Sequence, residues 1–151
     1  MKNISALLEA MRMKAWTKNL FVFAALLFAR LWTVEAFLST LEAALGFCLL
    51  SSAIYLINDT ADREKDRLHP VKRNRPIASG RLAPSTAIFT AVLLAGVTLT
   101  ISWFNAPWLA VVYSIYFLKR LGYCLGLNNI VILDCILIAT GFVLRALAGV
   151  A

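Results

Sequence analysis

From Ala83 to Trp103 the chain carries no charged side chain. At 1.5 Å per residue, a helix of that length matches the thickness of a bilayer's hydrocarbon core. Comparable apolar runs occupy residues 16–33, 36–57, 106–120 and 128–150. With 61% hydrophobic and 15% charged residues and a mean hydropathy of +0.78, the chain is too oily for a water-soluble domain. In lipid, backbone N–H and C=O groups must be satisfied within each segment, so uninterrupted apolar runs of this length favour helices over a barrel. The expectation is an all-α, polytopic transmembrane bundle of about five helices, forming one domain over residues 1–151.

Charge placement orients such a bundle. Lys2, Arg12, Lys14 and Lys18 precede the first apolar run, seven bases fall within 58–82, and Lys119 and Arg120 follow the fourth run. The positive-inside rule puts these three regions in the cytoplasm and Ala151 on the far side. The N-terminal MKNISALLEAMRMKAWTKN has no apolar core after its first base and no small-residue cleavage site follows, so it reads as a basic amphipathic segment on the membrane surface rather than a signal peptide. The net charge of +7 lies on membrane-flanking segments without a nucleic-acid-binding motif, which points to anionic lipids and phosphorylated substrates as partners and away from nucleic acid. Cys48, Cys124 and Cys135 show neither CxxC nor Cys/His spacing and read as small buried apolar residues. The small residues Ala43, Ala44, Gly46, Ser51 and Ser52 allow the second helix to pack closely.

The one long polar segment, 58–82, holds four acids and seven bases. On a continuous helix Asp59, Asp62 and Asp66, spaced i, i+3 and i+7, fall within about a 60° arc. Clustered carboxylates at the inner mouth of a bundle need a compensating cation, and Mg²⁺ bridges one or two carboxylates to substrate phosphates. Asn58 adds an amide oxygen at the same mouth. Downstream, Lys72 offers a point charge and Arg75 a planar fork to phosphate oxygens, while Arg73 and Arg81 serve equally well as anchors on lipid head groups. The plainer alternative is a solvated loop of i, i+4 ion pairs.

Asn58, Asp59, Asp62 and Asp66 match the NDxxDxxxD motif of the UbiA superfamily of intramembrane prenyltransferases, and HPVKRNRPIASG resembles that family's KxRPI continuation. The chain most resembles the branch of polyprenyl-phosphate phosphoribosyltransferases through AWTKNLFVFAALLFA, AIYLINDTADREKDRLHPVKRNRPIASG and LDCILIATGFVLRALAG. The resemblance implies that residues 1–151 form a partial UbiA-like transmembrane domain, the N-terminal part of a bundle of eight or nine helices, with the Asp-rich loop at 58–82. It also implies a bacterial inner-membrane location.

The same resemblance implies a Mg²⁺-dependent transfer of 5-phosphoribose from phosphoribosyl diphosphate to a polyprenyl phosphate. Asp59, Asp62 and Asp66 would hold Mg²⁺ on the diphosphate with Asn58 in support, and Lys72 and Arg75 would contact phosphate. Lys18, Asn19, Tyr116, Lys119 and Arg145 are the expected contacts to substrate, with Lys18-Asn19 similar to the family's KN. The family's second Asp-rich motif has no counterpart in the 151 residues, and Asp134 does not replace it, so the expectation is a chain inactive alone and completed by a second polypeptide. Two other functions fit the same motif: transfer of an isoprenyl group from its diphosphate to an aromatic or other acceptor, and a non-catalytic scaffold or half-transporter whose acids bind cations.

Overall fold

The computed structural model describes residues 2–23, 26 and 33–124. Among them the chain is helical and forms no strand. It runs through α1 (Lys2–Ala10), a 3-10 helix (Met13–Phe21), α2 (Val34–Ala61), α3 (Arg63–Leu68), a 3-10 turn (Lys72–Asn74), α4 (Pro84–Asn105) and α5 (Pro107–Cys124). The boundaries follow from local chemistry. Thr33 caps α2 by accepting the Ala36 N–H at Oγ1 (3.2 Å), and Glu35 complements the dipole in the first turn. Pro84 and Pro107 stand at first helical positions, where a missing N–H costs nothing. Ala106, restricted by the proline after it, is extended (φ −148°, ψ 82°) and turns the chain from α4 into α5.

Helix α2 is the centre of the bundle and packs against α4, α5 and the 3-10 helix. Its early turns meet the late turns of α4 and the first turns of α5: Leu38, Leu41 and Leu45 share a groove with Val97, Ile101 and Tyr113. Successive helices therefore alternate in direction, and the C-terminal ends of α2 and α5 come to the same end of the bundle. The side chains are sorted inside out relative to a soluble protein. On α4 the buried positions are Ala87, Ala91, Ala95, Thr98 and Ser102, a seam of small residues along one face. Its large side chains, including Phe89, Val92, Leu93, Trp103 and Phe104, point outward. Such a helix gains nothing from hiding its leucines when the surroundings are lipid. Helices α2 and α4 are each long and apolar enough to cross a membrane. Helix α5 is shorter, at 18 residues, and carries Lys119 and Arg120 near its end.

The centre of the bundle is an aromatic cluster. Phe47 makes edge-on contacts with Tyr113 and Tyr116, each at 5.0 Å between ring centroids. The Tyr113 hydroxyl donates to the Ala43 carbonyl (2.9 Å), and its ring lies over Gly46, leaving no room for a side chain there.

The apolar runs expected at 36–57, 83–103 and 106–120 correspond to α2, α4 and α5. The run expected at 16–33 begins differently. Residues 13–21 wind as a 3-10 helix, tightened by bonds from its side chains: Trp16 Nε1 donates to Ser52 Oγ (3.0 Å), and Asn19 Nδ2 to Cys48 Sγ (3.2 Å) and Ser51 Oγ (3.4 Å). Ala43, Ala44, Ser51 and Ser52 are buried, as close packing requires. The fifth expected run, 128–150, lies outside the described residues.

A methyl group at Gly46 would fall on the Tyr113 hydroxyl, whereas one at Gly96 meets open space. Gly46→Ala is expected to destabilise the protein by about 1–3 kcal/mol through overpacking. Gly96→Ala, which restores helix propensity, should be neutral or stabilising by up to about 1 kcal/mol. Thermal unfolding of the two variants in detergent checks the contrast.

Candidate functional site

At the end of the bundle where α2 and α5 finish, a cavity of about 350 Å³ is lined by Arg12, Lys18, Asn19, Ser51, Tyr55, Asn58, Asp62, Lys72, Arg75, Tyr116 and Arg120, with Ala15, Ile54 and Cys124. Five of these side chains are cationic and one is a carboxylate. The carbonyl ends of α2 and α5 point toward this end and carry the negative pole of each dipole. The five basic side chains oppose that field.

The Asp-rich segment builds the floor. Helix α2 stops at Ala61, Asp62 leaves helical geometry (φ −86°, ψ 5°) and α3 restarts at Arg63. Asp59 and Asp66 share one partner across this break, whereas Asp62 has another. Asp59 and Asp66 are buried, 2% and 3% exposed, and both are bound by Arg75, whose Nη1 donates to Asp59 Oδ1 (3.2 Å) and Asp66 Oδ2 (2.6 Å). Arg12 Nη2 donates to the same Asp59 oxygen (2.7 Å). Asp62 lines the cavity and accepts from Asn58 Nδ2 (3.3 Å). Glu64 points elsewhere and takes two bonds from Arg67.

Segment 68–82 is tied down along its length. His69 Nδ1 accepts the N–H groups of Val71 (3.2 Å) and Lys72 (3.3 Å), which orients the turn bearing Lys72. Arg67 Nε donates to the Ala78 carbonyl (3.1 Å), Ile77 and Leu82 are buried in the core, and Gly80 takes a left-handed conformation (φ 79°) at the final bend. Arg81, one of the two bases also suited to lipid anchoring, grips Glu9 of α1 through both terminal nitrogens (2.7 and 2.9 Å) and the Asn74 carbonyl (2.7 Å). The guanidinium holds the Glu9 carboxyl below its ordinary value of 4.5.

The structure brings Lys18, Asn19, Asn58, Asp62, Lys72, Arg75 and Tyr116 of the expected site to one cavity. Asp59 and Asp66 stand behind its wall on arginine. At the end of α5 it is Arg120, next to Lys119, that lines the cavity. Arg145 lies outside the described residues. Arg12 and Arg120 carry no mark of a site in the local sequence. Arg12 joins the site through Asp59 and Tyr55 of α2, and Arg120 lines it from the end of α5.

The donor set bears on which metal site is feasible. Among the described residues no three carboxylate, histidine or cysteine side chains converge closely enough to hold a metal by themselves. Asp62 and Asn58 do offer oxygens to the cavity, and one carboxylate, an amide and substrate phosphates suit Mg²⁺, which keeps several waters and depends on its phosphate ligands. The residues fit a Mg²⁺ ion that arrives with a phosphorylated substrate.

A helical bundle with helices long and apolar enough to cross a membrane, and with a cation-lined cavity beside an NDxxDxxxD segment, defines an intramembrane protein with a charged site at one end. The chain belongs to the UbiA prenyltransferase family, whose sequence model matches residues 19–151. It is 42% identical to the decaprenyl-phosphate phosphoribosyltransferase of Mycolicibacterium smegmatis, over 97% of this chain and 48% of that protein. The proteins of the same name from Corynebacterium glutamicum and Mycobacterium tuberculosis are 39% and 37% identical over 98% and 97% of this chain, and 46% and 50% of their own lengths. The chain thus spans about half the length of the curated relatives it matches.

Replacing Arg75 with methionine leaves two buried carboxylates short of their common cation. A loss of about 3–5 kcal/mol is expected, toward the lower end because Asp59 keeps Arg12, and thermal unfolding in detergent measures it. The clasp between Glu9 and Arg81 carries a pH signature. Because the folded value of Glu9 is depressed, its stabilisation is fully present above 4.5 and is lost as pH falls through the depressed value. Hydrogen exchange in α1, corrected for intrinsic rates, should rise over that acid window in the parent protein, and Glu9→Gln should remove the extra rise.

Proposed function

We propose that the whole protein is a Mg²⁺-dependent membrane transferase that moves 5-phosphoribose from phosphoribosyl diphosphate to a polyprenyl phosphate. In this reading the chain supplies the Asp-rich half of the site. The observation that carries it is the cavity itself, where five bases face Asp62 and Asn58 at the mouth of an apolar bundle. Two phosphorylated reactants, one of them a lipid, need that combination of charge and position. The relatives named as phosphoribosyltransferases, matched over nearly the whole chain, support this donor over an isoprenyl diphosphate.

The reaction breaks the bond from the sugar's anomeric carbon to a diphosphate oxygen and forms a bond from that carbon to an oxygen of the lipid phosphate. The departing diphosphate takes the electron pair, and the sugar passes through oxocarbenium character. Asp62 and Asn58 would hold Mg²⁺, which would supply charge neutralisation to the departing diphosphate. Lys72 and Arg75 bind diphosphate oxygens and act most strongly as negative charge builds there. Asp59 and Asp66 fix the Arg75 fork, and either carboxylate becomes a further ligand if the fork shifts to phosphate. Lys18 and Arg120, on separate elements beside Tyr116, receive the lipid phosphate where the polar cavity meets the apolar bundle. Asn19 holds the 3-10 helix against α2 so that Lys18 keeps its place.

The same reading sets the topology. Helices α2, α4 and α5 cross a bacterial inner membrane, with α1 and the 58–82 segment on the cytoplasmic side, as the placement of the basic residues suggests. Residues 1–151 form one partial UbiA-like domain, and the remaining diphosphate ligands come from the other half of the whole protein or from a second polypeptide.

The whole protein, reconstituted with radiolabelled phosphoribosyl diphosphate and polyprenyl phosphate, should transfer label to lipid only with Mg²⁺. Asp62→Asn should slow transfer by about 100-fold or more. Mg²⁺-dependent prenylation of an aromatic acid without label transfer would replace this reading, and undiminished transfer by Asp62→Asn would remove Asp62 from it.

A further inference from the structure

Lys72 lines the cavity from a turn that packing does not hold. Residues 67–74 are all exposed, and the anchors of the segment lie downstream: Ile77 and Leu82 in the core, the Arg67 bond to the Ala78 carbonyl and the Arg81 bond to the Asn74 carbonyl. Among the described residues, the side-chain bonds that reach residues 70–73 come from His69 alone, whose Nδ1 accepts the N–H groups of Val71 (3.2 Å) and Lys72 (3.3 Å). The His69 carbonyl accepts a third, from Arg73 (3.1 Å). A turn without buried side chains keeps its shape through such local bonds.

The arrangement is that of a helix N-cap. His69 is extended (φ −87°, ψ 131°). Pro70 follows, with φ fixed near the helical value and no N–H to satisfy. The next two N–H groups, which a first turn leaves without backbone partners, close on the His69 side chain. Imidazole does here what an asparagine amide does at many caps, because Nδ1 and an asparagine Oδ1 stand the same number of bonds from Cα. An accepting Nδ1 carries no proton, so the ring N–H is at Nε2. The residue this cap places in the cavity is Lys72; Val71 and Arg73 on either side do not line it. The turn then passes into Arg75, extended before Pro76 (φ −59°, ψ 146°) and fixed on Asp59 and Asp66. One end of the basic stretch is thus held by carboxylates and the other by a histidine.

We infer that His69 is a positioning residue, whose Nδ1 caps the 70–74 turn and thereby presents Lys72 to the diphosphate. This rests on the reading above in which Lys72 binds diphosphate oxygens. Binding of inorganic diphosphate and of a polyprenyl phosphate to the whole protein in detergent with Mg²⁺ tests it, for parent, His69→Ala, His69→Asn, Lys72→Ala and the double variant His69→Ala/Lys72→Ala. Thermal unfolding accompanies each titration to show that the variant is folded. His69→Ala is expected to lose about 3- to 30-fold in diphosphate affinity, the equivalent of a lost N-cap, with polyprenyl phosphate within about twofold of the parent. His69→Asn keeps an acceptor at the same distance and should recover most of the loss. Because His69 acts through Lys72, the double variant should bind diphosphate no more than about twofold more weakly than Lys72→Ala. His69→Gln, whose oxygen stands one bond farther out, takes the place of His69→Ala if the alanine variant does not fold. Unchanged diphosphate affinity in His69→Ala, no recovery with asparagine, an equal loss for polyprenyl phosphate, or losses that multiply in the double variant each overturn the inference and leave the role of Lys72 intact. Undiminished diphosphate binding by Lys72→Ala, or no binding by the parent, overturns that role and the inference with it.

Discussion

Arg75 is the point on which the polar end of this molecule turns. Its guanidinium links Asp59, in the last turns of the longest helix, to Asp66 in the short helix that follows, and holds the 68–82 segment against both. Two carboxylates taken almost wholly out of water would repel one another. The shared cation offsets that repulsion and ties the two helices together across the break at Asp62. The cavity lies at this junction, lined by Asn58 and Asp62 and by Lys72 of the anchored segment. An ion pair that looks structural thus fixes the positions of groups suited to chemistry.

Much of this architecture is legible in the sequence. Apolar runs at 36–57, 83–103 and 106–120 identify three helices, because lipid admits few alternatives to a helix and prolines mark where two of them begin. The Asp-rich segment identifies its end of the bundle; Lys18, Asn19 and Lys72 are expected at the site from the family motifs around them, and all three line the cavity with Tyr116. What sequence periodicity misses is the break. A helical wheel through Asp59, Asp62 and Asp66 assumes a continuous helix, whereas Asp62 leaves helical geometry; Asp59 and Asp66 still meet at one Arg75 nitrogen, and Asp62 lines the cavity. The ion pairs are also hidden: Arg12 is 47 residues from Asp59 and Arg75 is 16 away, so neither pairing has a local signature. The 3-10 winding of residues 13–21 escapes prediction because it depends on serines and a cysteine of another helix.

The N-terminal segment also gains a clearer place in the molecule. A basic amphipathic stretch before the first apolar run reads as a membrane anchor, and its exposed Ile4, Leu8 and Met13 suit that role. Its bonds to Ser51, Ser52 and Asp59 make it a wall of the cavity as well. A single segment can do both because its two faces meet different solvents, the lipid interface on one side and a polar chamber on the other.

The small-residue seam of α4 has an evolutionary consequence. In a soluble helix the large interior positions resist change and the surface drifts freely. Here the constrained positions are alanines, Ala87, Ala91 and Ala95, where even one added methylene would push α2 and α4 apart, while Phe89, Val92 and Phe104 have only to remain apolar. Substitution among descendants of this chain should therefore be fast among large lipid-facing residues and slow among the smallest side chains, so a pattern of unchanging alanines spaced four apart would mark the helix contacts even in relatives whose catalytic segments have diverged.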